Sequence, residues 1–377
     1  MPCREAIQHE DRTGHGPPVD TLGAVSQAGN DPLRERVQQA LDRFMAEQAS
    51  RLTAIDPVLA PVTDAVRDFL DGGKRLRPAF CYWGWRGAGA PDCPEIIVAA
   101  ASLELLQAAA LIHDDLMDDS NTRRGKPSIH RQFAAPLESG GHPGRWTDFG
   151  AAAAILIGDL CLSWCDAMIE SSGIGPTELL RAKPTFQYMR TELMAGQYLD
   201  VLAQATGGTG VDRALKVIRY KAAKYTVERP LHIGGLLAGG QNALIETYSA
   251  YGLPIGEAFQ LRDDILGVFG DPAETGKPAG DDLREGKRTL LVALAFERAG
   301  PAQRDLLEQS LGDRTLDDQG VDALRAVLVE TGAVAAVEAL IERLTAGALH
   351  ALDGGNVVGD AREALRELAV AATMRAG

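Results

Sequence analysis

Apolar residues recur three or four positions apart along most of this chain, beginning with Val37, Ala40, Leu41 and Phe44. That spacing predicts amphipathic helices. The helical pattern starts at Pro32, and Asp71-Gly72-Gly73 interrupts it before Lys74-Arg75-Leu76-Arg77-Pro78. After a turn between Pro91 and Pro94, residues 95–117 read as one long helix, apolar nearly all round and hence central. Residues 119–127 read as a charged loop and 138–148 as a longer surface loop. A second buried helix is expected over 151–171. Helices over 177–205 and 212–238 follow, broken by Gly207-Gly208-Thr209-Gly210. A helix over 242–267 precedes a long loop over 271–287. Amphipathic helices are then expected near 290–298, 302–311, 318–331, 333–352 and 361–374. No period-two alternation marks a strand, and no solenoid-type repeat is visible. The pattern predicts an all-α single domain over residues 32–377. Residues 1–31 are polar, carry Gly and Pro, and lack periodicity, so they read as a flexible extension.

Composition agrees with packed helices. Of 377 residues 45% are hydrophobic but only 5% aromatic, with Ala, Leu and Gly the commonest. The net charge of −14 argues against a nucleic-acid partner, which would want a basic face. It leaves phosphate ligands open, because a few Lys and Arg inside a cleft can act alone. The five cysteines are Cys3, Cys81, Cys93, Cys161 and Cys165. Only the last two are four apart, without a CxxC pair or a His partner, so they read as small core residues in a reducing compartment. No segment is expected to reach the length of a membrane span; the apolar run over 151–158 ends at Asp159. His9, Glu10, Asp11 and Arg12 stand where a secretory signal would be apolar. A soluble cytoplasmic protein is the expectation.

Two acidic clusters change the picture. His113-Asp114-Asp115-Leu116-Met117-Asp118-Asp119 ends the central helix, and Gln260-Leu261-Arg262-Asp263-Asp264 lies near the end of another. Asp114 and Asp118 are four apart and share a helix face; Asp115 is turned aside. An ordinary charged helix end is the plain alternative. It is weakened because carboxylates at a helix C-terminus oppose the macrodipole and need compensation, which a divalent cation supplies. Oxygen ligands at this density suit Mg²⁺ bridging carboxylates to a phosphate. The basic residues cluster too: Lys74, Arg75 and Arg77 after a Gly-Gly turn, Arg123 and Arg124 after the first acidic cluster, Lys221 and Lys224 on one helix, Lys277 and Lys287 after the second cluster. Any one of them reads as a solvated surface charge. Their repeated placement beside turns and carboxylates favours phosphate binding.

These motifs together resemble the trans-isoprenyl diphosphate synthases of the polyprenyl synthetase family. The resemblance rests on Gly72-Gly73-Lys74-Arg75-Leu76-Arg77-Pro78, Asp114-Asp115-Leu116-Met117-Asp118, Arg123-Arg124-Gly125, Phe259-Gln260-Leu261-Arg262-Asp263-Asp264 and Gly276-Lys277, in that order. It implies an isoprenoid synthase-type helical bundle around a central apolar cavity, in a homodimer. It implies head-to-tail condensation of isopentenyl diphosphate with an allylic diphosphate. By position, Asp114, Asp118 and Asp263 would hold Mg²⁺, three ions in all, with Asp115 and Asp264 in support. Lys74, Arg77, Gln107 and Arg124 would bind isopentenyl diphosphate. Arg123, Lys221, Gln260 and Lys277 would contact the allylic diphosphate.

Two positions depart from the family pattern. The last carboxylate of the second motif is replaced by Gly267, and the family's Lys-Thr pair reads Lys221-Ala222. Thr226 lies one turn on, and Lys224 is an alternative match for the Lys. Product length is expected to depend on Ala109 and Ala110, one turn before the Asp pair, and on Leu106 deeper in the helix, with Trp164 as a further candidate for the floor. Small residues there predict a twenty-carbon product, geranylgeranyl diphosphate, with farnesyl or longer products as alternatives. A class I terpene cyclase and a non-catalytic synthase subunit are the rival readings. His113 is expected to pack rather than to act in catalysis.

Overall fold

The computed structural model describes residues 31–141, 144–208, 210–271 and 280–374. Helix α1 (Asp31–Ile55) leads through a short 3-10 turn to α2 (Ala60–Leu70), α3 (Leu76–Gly87) and α4 (Pro94–Met117). Two-residue strands β1 (Thr122–Arg123) and β2 (Lys126–Pro127) form a hairpin before α5 (Ile129–Ser139), α6 (Trp146–Glu170) and α7 (Pro176–Thr206). Helix α8 (Val211–Val217) runs directly into a π-helical stretch, Ile218–Glu228, and on into α9 (Arg229–Leu237). Then come α10 (Asn242–Phe269), the single turn α11 (Asp281–Glu285), α12 (Leu290–Arg298), α13 (Pro301–Ser310), α14 (Asp318–Glu330), α15 (Ala333–Gly354) and α16 (Ala361–Thr373).

The bundle is built round α4. Pro94 opens it where a missing N–H leaves no bond unmade. Ile96, Ala100, Leu103, Leu105, Leu106 and Ile112 are buried on successive faces, so the helix is enclosed by α1, α3 and α6. Runs of Ala let those neighbours come close. Two apolar clusters result. The larger joins α1–α4, α6, α7, α9, the first part of α10 and α16; the smaller joins α8, the end of α10 and α12–α15. Helix α10 spans both. Its fully buried Tyr248 and Tyr251 each find an acceptor: one hydroxyl donates to Gly84 O at 2.8 Å, the other to Leu365 O at 2.5 Å. Buried phenols need such partners, and these two tie α10 to α3 and α16.

The all-α expectation holds. Residues 1–30 of the expected extension lie outside the described residues, and α1 begins at Asp31. The charged loop expected over 119–127 is corrected to a hairpin, with Arg124 (φ 53°) and Gly125 (φ 73°) in the left-handed region. Within the expected 271–287 loop, 281–285 form α11. The absence of a span-length segment is also corrected: α4 and α6 are both long and apolar enough to cross a membrane. In α4 that apolarity is absorbed by the core, whereas half of the apolar window of α6 faces outward. Cys81, Cys161 and Cys165 are buried and unpaired, as expected. His113 packs on α6, its Nε2 3.2 Å from Ile155 O.

Candidate active site

The C-terminal end of α4 and the C-terminal turns of α10 face one cleft of about 790 Å³. Asp114 lines it from α4, Asp263 and Asp264 from α10. The predicted pair Asp114 and Asp115 is divided in its tasks. Asp114 Oδ1 accepts from Gln197 Nε2 at 2.5 Å and from Lys221 Nζ at 3.2 Å. Asp115 is 1% exposed and turned the other way, where it accepts from Arg123 Nε at 2.9 Å and also from Arg123 Nη2. Asp115 therefore positions Arg123 on the β-hairpin. Asp118 caps α4, and burial together with the neighbouring Asp114 carboxylate pushes its carboxyl up to about 6. On the other wall Gln260 Nε2 donates to Asp264 Oδ1 at 2.8 Å. Burial still pushes the Asp264 carboxyl up to about 8.

Basic and amide side chains share the same cleft. Lys74, Arg77, Gln107, Arg123 and Arg124 all line the cleft. Arg77 Nη2 donates to Tyr225 Oη at 2.7 Å and to Thr226 Oγ1 at 2.9 Å. The Tyr225 hydroxyl donates in turn to Gln107 Oε1. Arg124 lies over the Gly72-Gly73 turn, close to the point where a Gly73 side chain would begin. Arg75 borders the cleft too, but its guanidinium is taken up internally: it is buried in an ion pair with Glu104 and donates to Gln38 and to Leu70 O. Lys277 falls outside the described residues.

Lys221 owes its aim to unusual winding. Helices α7 and α10 press on the π-helical stretch from two sides. A Cβ on Gly196 would lie 2.3 Å from Lys221 N, and one on Gly256 would lie 2.5 Å from Ala223 O. Only glycine permits that approach. The i→i+5 winding, frequent at functional sites, sends Lys221 and Lys224 in different directions. Lys221 Nζ sits 2.6 Å from Asp200 and 3.2 Å from Asp114, and these carboxylates hold its ammonium above the ordinary lysine range despite burial. Lys224 pairs with Glu192 and Glu228 instead. Thr226, the candidate stand-in for the absent hydroxyl at Ala222, supports Arg77.

A second cavity, of about 310 Å³, adjoins the cleft. Leu111, Asp114, Lys221 and Tyr225 line both. Leu106, Ala109 and Ala110 line this apolar space along α4, and Leu193, Met194 and Val201 line it along α7. Trp164 belongs to the packed core and is not among the lining residues, so it is no part of the floor. Gln197, Asp200, Tyr225 and Asp282 are among the cleft and cavity residues that sequence reasoning left without a role. The i, i+3 pair Gln197 and Asp200 was the one signal available on a single helix.

Among the described residues, no three Asp, Glu, His or Cys side chains converge closely enough to hold a metal by themselves. The donor set still fits a hard cation that takes most of its ligands from water and phosphate oxygens. Asp114 lines the cleft from α4 and Asp263 and Asp264 line it from α10, while burial holds the carboxyls of Asp118 and Asp264 above their ordinary range.

The family model described as Polyprenyl synthetase matches residues 60–328, a stretch that carries both walls and the basic rim. The chain belongs to the polyprenyl synthetase family. A (2E,6E)-farnesyl diphosphate synthase of Mycobacterium tuberculosis is 35% identical over 316 residues, 80% of each chain. A geranylfarnesyl diphosphate synthase of Aeropyrum pernix is 33% identical over 267 residues, 70% of this chain and 77% of the other. The crystal structure of geranylgeranyl pyrophosphate synthase from Corynebacterium glutamicum, complexed with isoprenyl diphosphate and magnesium, matches with a TM-score of 0.87 at 42% identity. That match covers 92% of this chain and 99% of the other. As a polyprenyl synthetase the chain is a trans-prenyltransferase, and the family resemblance and helical fold read from its motifs both hold.

Proposed function

We propose that this chain condenses isopentenyl diphosphate head-to-tail with an allylic diphosphate and makes geranylgeranyl diphosphate as its main product. The observation that carries this reading is the junction of two cavities at Asp114: a cleft with carboxylates and basic groups opens into an apolar space lined by small residues of α4.

The barrier in this reaction is charge separation as the allylic C–O bond breaks. Mg²⁺, held by Asp114, Asp118 and Asp263 with three ions in all, would supply Lewis-acid stabilisation of the leaving diphosphate. Lys221 and Arg123 place positive charge at the same end, where negative charge grows. Gln260 and Lys277 complete the contacts to the allylic diphosphate, and Asp115 and Asp264 support the set. Lys74, Arg77, Gln107 and Arg124 hold isopentenyl diphosphate on the other rim. Fixing its double bond against the allylic carbon removes much of the entropic barrier. Apolar walls keep water from the cation. The proton lost at the end goes to the departing diphosphate, so no His or Glu base is required.

We also assign a homodimer through α6 and α7. Phe149, Leu156, Leu180, Tyr188, Met194 and Tyr198 are large apolar residues left exposed on these helices, the kind of surface that a partner subunit covers. Buried free thiols and the acidic surface suit a cytoplasmic location.

Purified protein with magnesium, isopentenyl diphosphate and dimethylallyl, geranyl or farnesyl diphosphate tests the reading. Twenty-carbon diphosphate by mass spectrometry is the expected result. Mainly fifteen-carbon or much longer chains would overturn the product, and a cyclic hydrocarbon from geranylgeranyl diphosphate alone would overturn the reaction.

A further inference from the structure

The first acidic cluster ends in a left-handed turn that two arginines hold from different parts of the chain. Asp118 is the C-cap of α4, and Asp119 follows it at φ 53°. That conformation is costly for a residue with a Cβ. Asp119 Oδ1 accepts from Arg131 Nη2, on α5, at 2.9 Å. Its Oδ2 accepts from Arg314 Nη1 at 3.1 Å. The other arm of the same guanidinium, Nη2, donates to the Asp118 carbonyl at 2.7 Å. One fork thus spans two successive residues and satisfies a carbonyl that the helix end leaves open.

Arg314 lies 196 residues beyond Asp118, on the connector between α13 and α14. That connector is itself moored to α11. The Gly312 amide donates to Leu283 O at 2.9 Å, and Arg284 Nε donates to Leu316 O at 2.9 Å. Helix α11 leads directly to Lys287, which lines the cleft. A bond from Ser120 Oγ to Glu285 Oε1, at 3.2 Å, crosses the same gap. Surface pairs add little to stability, and Arg314 and Asp119 are both more than half exposed. What their geometry fixes is the direction of the residue between them. The Asp118 carboxyl feels Asp114, Lys221 and Lys287 together, all of them lining residues. It therefore faces the cleft while its carbonyl is held from outside.

We propose that Arg314 is a positioning residue for the magnesium site: by clasping the end of α4 to the α13–α14 connector, it sets the aim of the Asp118 carboxylate and the spacing of the two acidic walls. The inference rests on the proposed function of the cleft.

Magnesium affinity in the presence of inorganic diphosphate, read by calorimetry on the full chain, is the test. Unliganded Tm and KM for isopentenyl diphosphate are the controls. Arg314→Met keeps the stem and removes the fork. It should weaken magnesium binding about tenfold, the low end for loss of a group that orients a metal ligand. Tm without ligand and KM for isopentenyl diphosphate should stay near wild type. Arg314→Lys keeps the charge but cannot grip two residues at once, so it should recover only part of the loss. Asp119→Gly takes the left-handed turn without strain, so it should melt near wild type and still bind magnesium more weakly. Wild-type magnesium affinity in Arg314→Met would overturn the inference, and full recovery in Arg314→Lys would reduce the clasp to a charge effect and overturn it as well. So would a fall in Tm, or a rise in KM for isopentenyl diphosphate, that tracks the loss of affinity across the three variants. A wild-type chain without magnesium-dependent diphosphate binding would instead overturn the reading of the cleft, and this inference with it.

Discussion

The Tyr225 hydroxyl joins Arg77 and Gln107: it accepts from Arg77 Nη2 at 2.7 Å and donates to Gln107 Oε1. Arg77 also lies over the Tyr225 ring, 4.2 Å from its centroid. One phenol thus registers α3, α4 and the π-helical stretch where isopentenyl diphosphate is proposed to bind. Tyr225→Phe keeps the ring and its cation–π contact and removes the bridge. A hydrogen bond to a charged group contributes about 1.5 kcal/mol, so KM for isopentenyl diphosphate should rise about tenfold. KM for the allylic substrate should stay near wild type. Steady-state kinetics with each substrate varied in turn reads the split, and an equal rise in both would show general loosening instead.

Asp264 makes stability and function pull apart. Its folded carboxyl is pushed up to about 8 by burial, while an unfolded Asp titrates near 3.9. A raised carboxyl means that folding favours the protonated acid. The resulting stabilisation is complete below about pH 4 and fades as pH climbs to about 8. Asp264→Asn removes the titration and keeps the shape. Without magnesium or diphosphate, the variant's stability relative to wild type should therefore grow between pH 5 and pH 8, by at most about 1.4 kcal/mol per pH unit. Urea denaturation at the two pH values measures it, and a difference that does not change with pH would show Asp264 ionising as in water. Added magnesium and diphosphate should favour wild type again.

Much of this was legible in the chain because helices and metal-facing carboxylates both announce themselves by local spacing. Asp114 and Asp118 share a face by the helical period alone, and the apolar period marked α4 and α10. What stayed hidden depends on contacts between distant segments. An eleven-residue apolar–polar pattern does not distinguish π from α winding; Gly196 and Gly256, on other helices, set it at Lys221. The task of Asp115 follows from a partner on the β-hairpin, which read as a loop. Gly267 read only as a lost carboxylate, because the side chain packed against it, Asp282, is distant in sequence and adjacent only in space.

Asp114 and Asp115 are neighbours in sequence whose loss should have opposite signatures. Asp115→Ala strands the Arg123 guanidinium, which is 18% exposed in its ion pair. Breaking a buried pair costs about 3 kcal/mol, so Tm should fall by several degrees. Asp114→Ala leaves Lys221 its closer partner, Asp200, so the fold should be little affected. Its kcat should fall at least about a hundredfold, the scale of losing one group that stabilises the transition state. Calorimetric melting beside kcat for both variants separates the two roles; a large Tm loss in Asp114→Ala would count against the division.

Ala109 is the position where side-chain size should translate most directly into product length. It is fully buried, lines the apolar cavity on α4, and lies five residues before Asp114 on the same helix. A growing chain anchored by its diphosphate near Asp114 must pass it to reach Leu106. Phenylalanine at this point would fill part of a space of only about 310 Å³. Extra core volume commonly costs about 1–3 kcal/mol, but here an empty cavity can take the ring. Ala109→Phe should therefore melt near wild type, keep its rate with dimethylallyl diphosphate, and shift the main product from twenty carbons to fifteen or ten. Leu106→Ala should act the other way and lengthen it. Product distributions by mass spectrometry decide the matter. An unchanged distribution in a well-folded Ala109→Phe would mean that the chain leaves the junction by another route, between α6 and α7, and that Ala109 is no part of the limit.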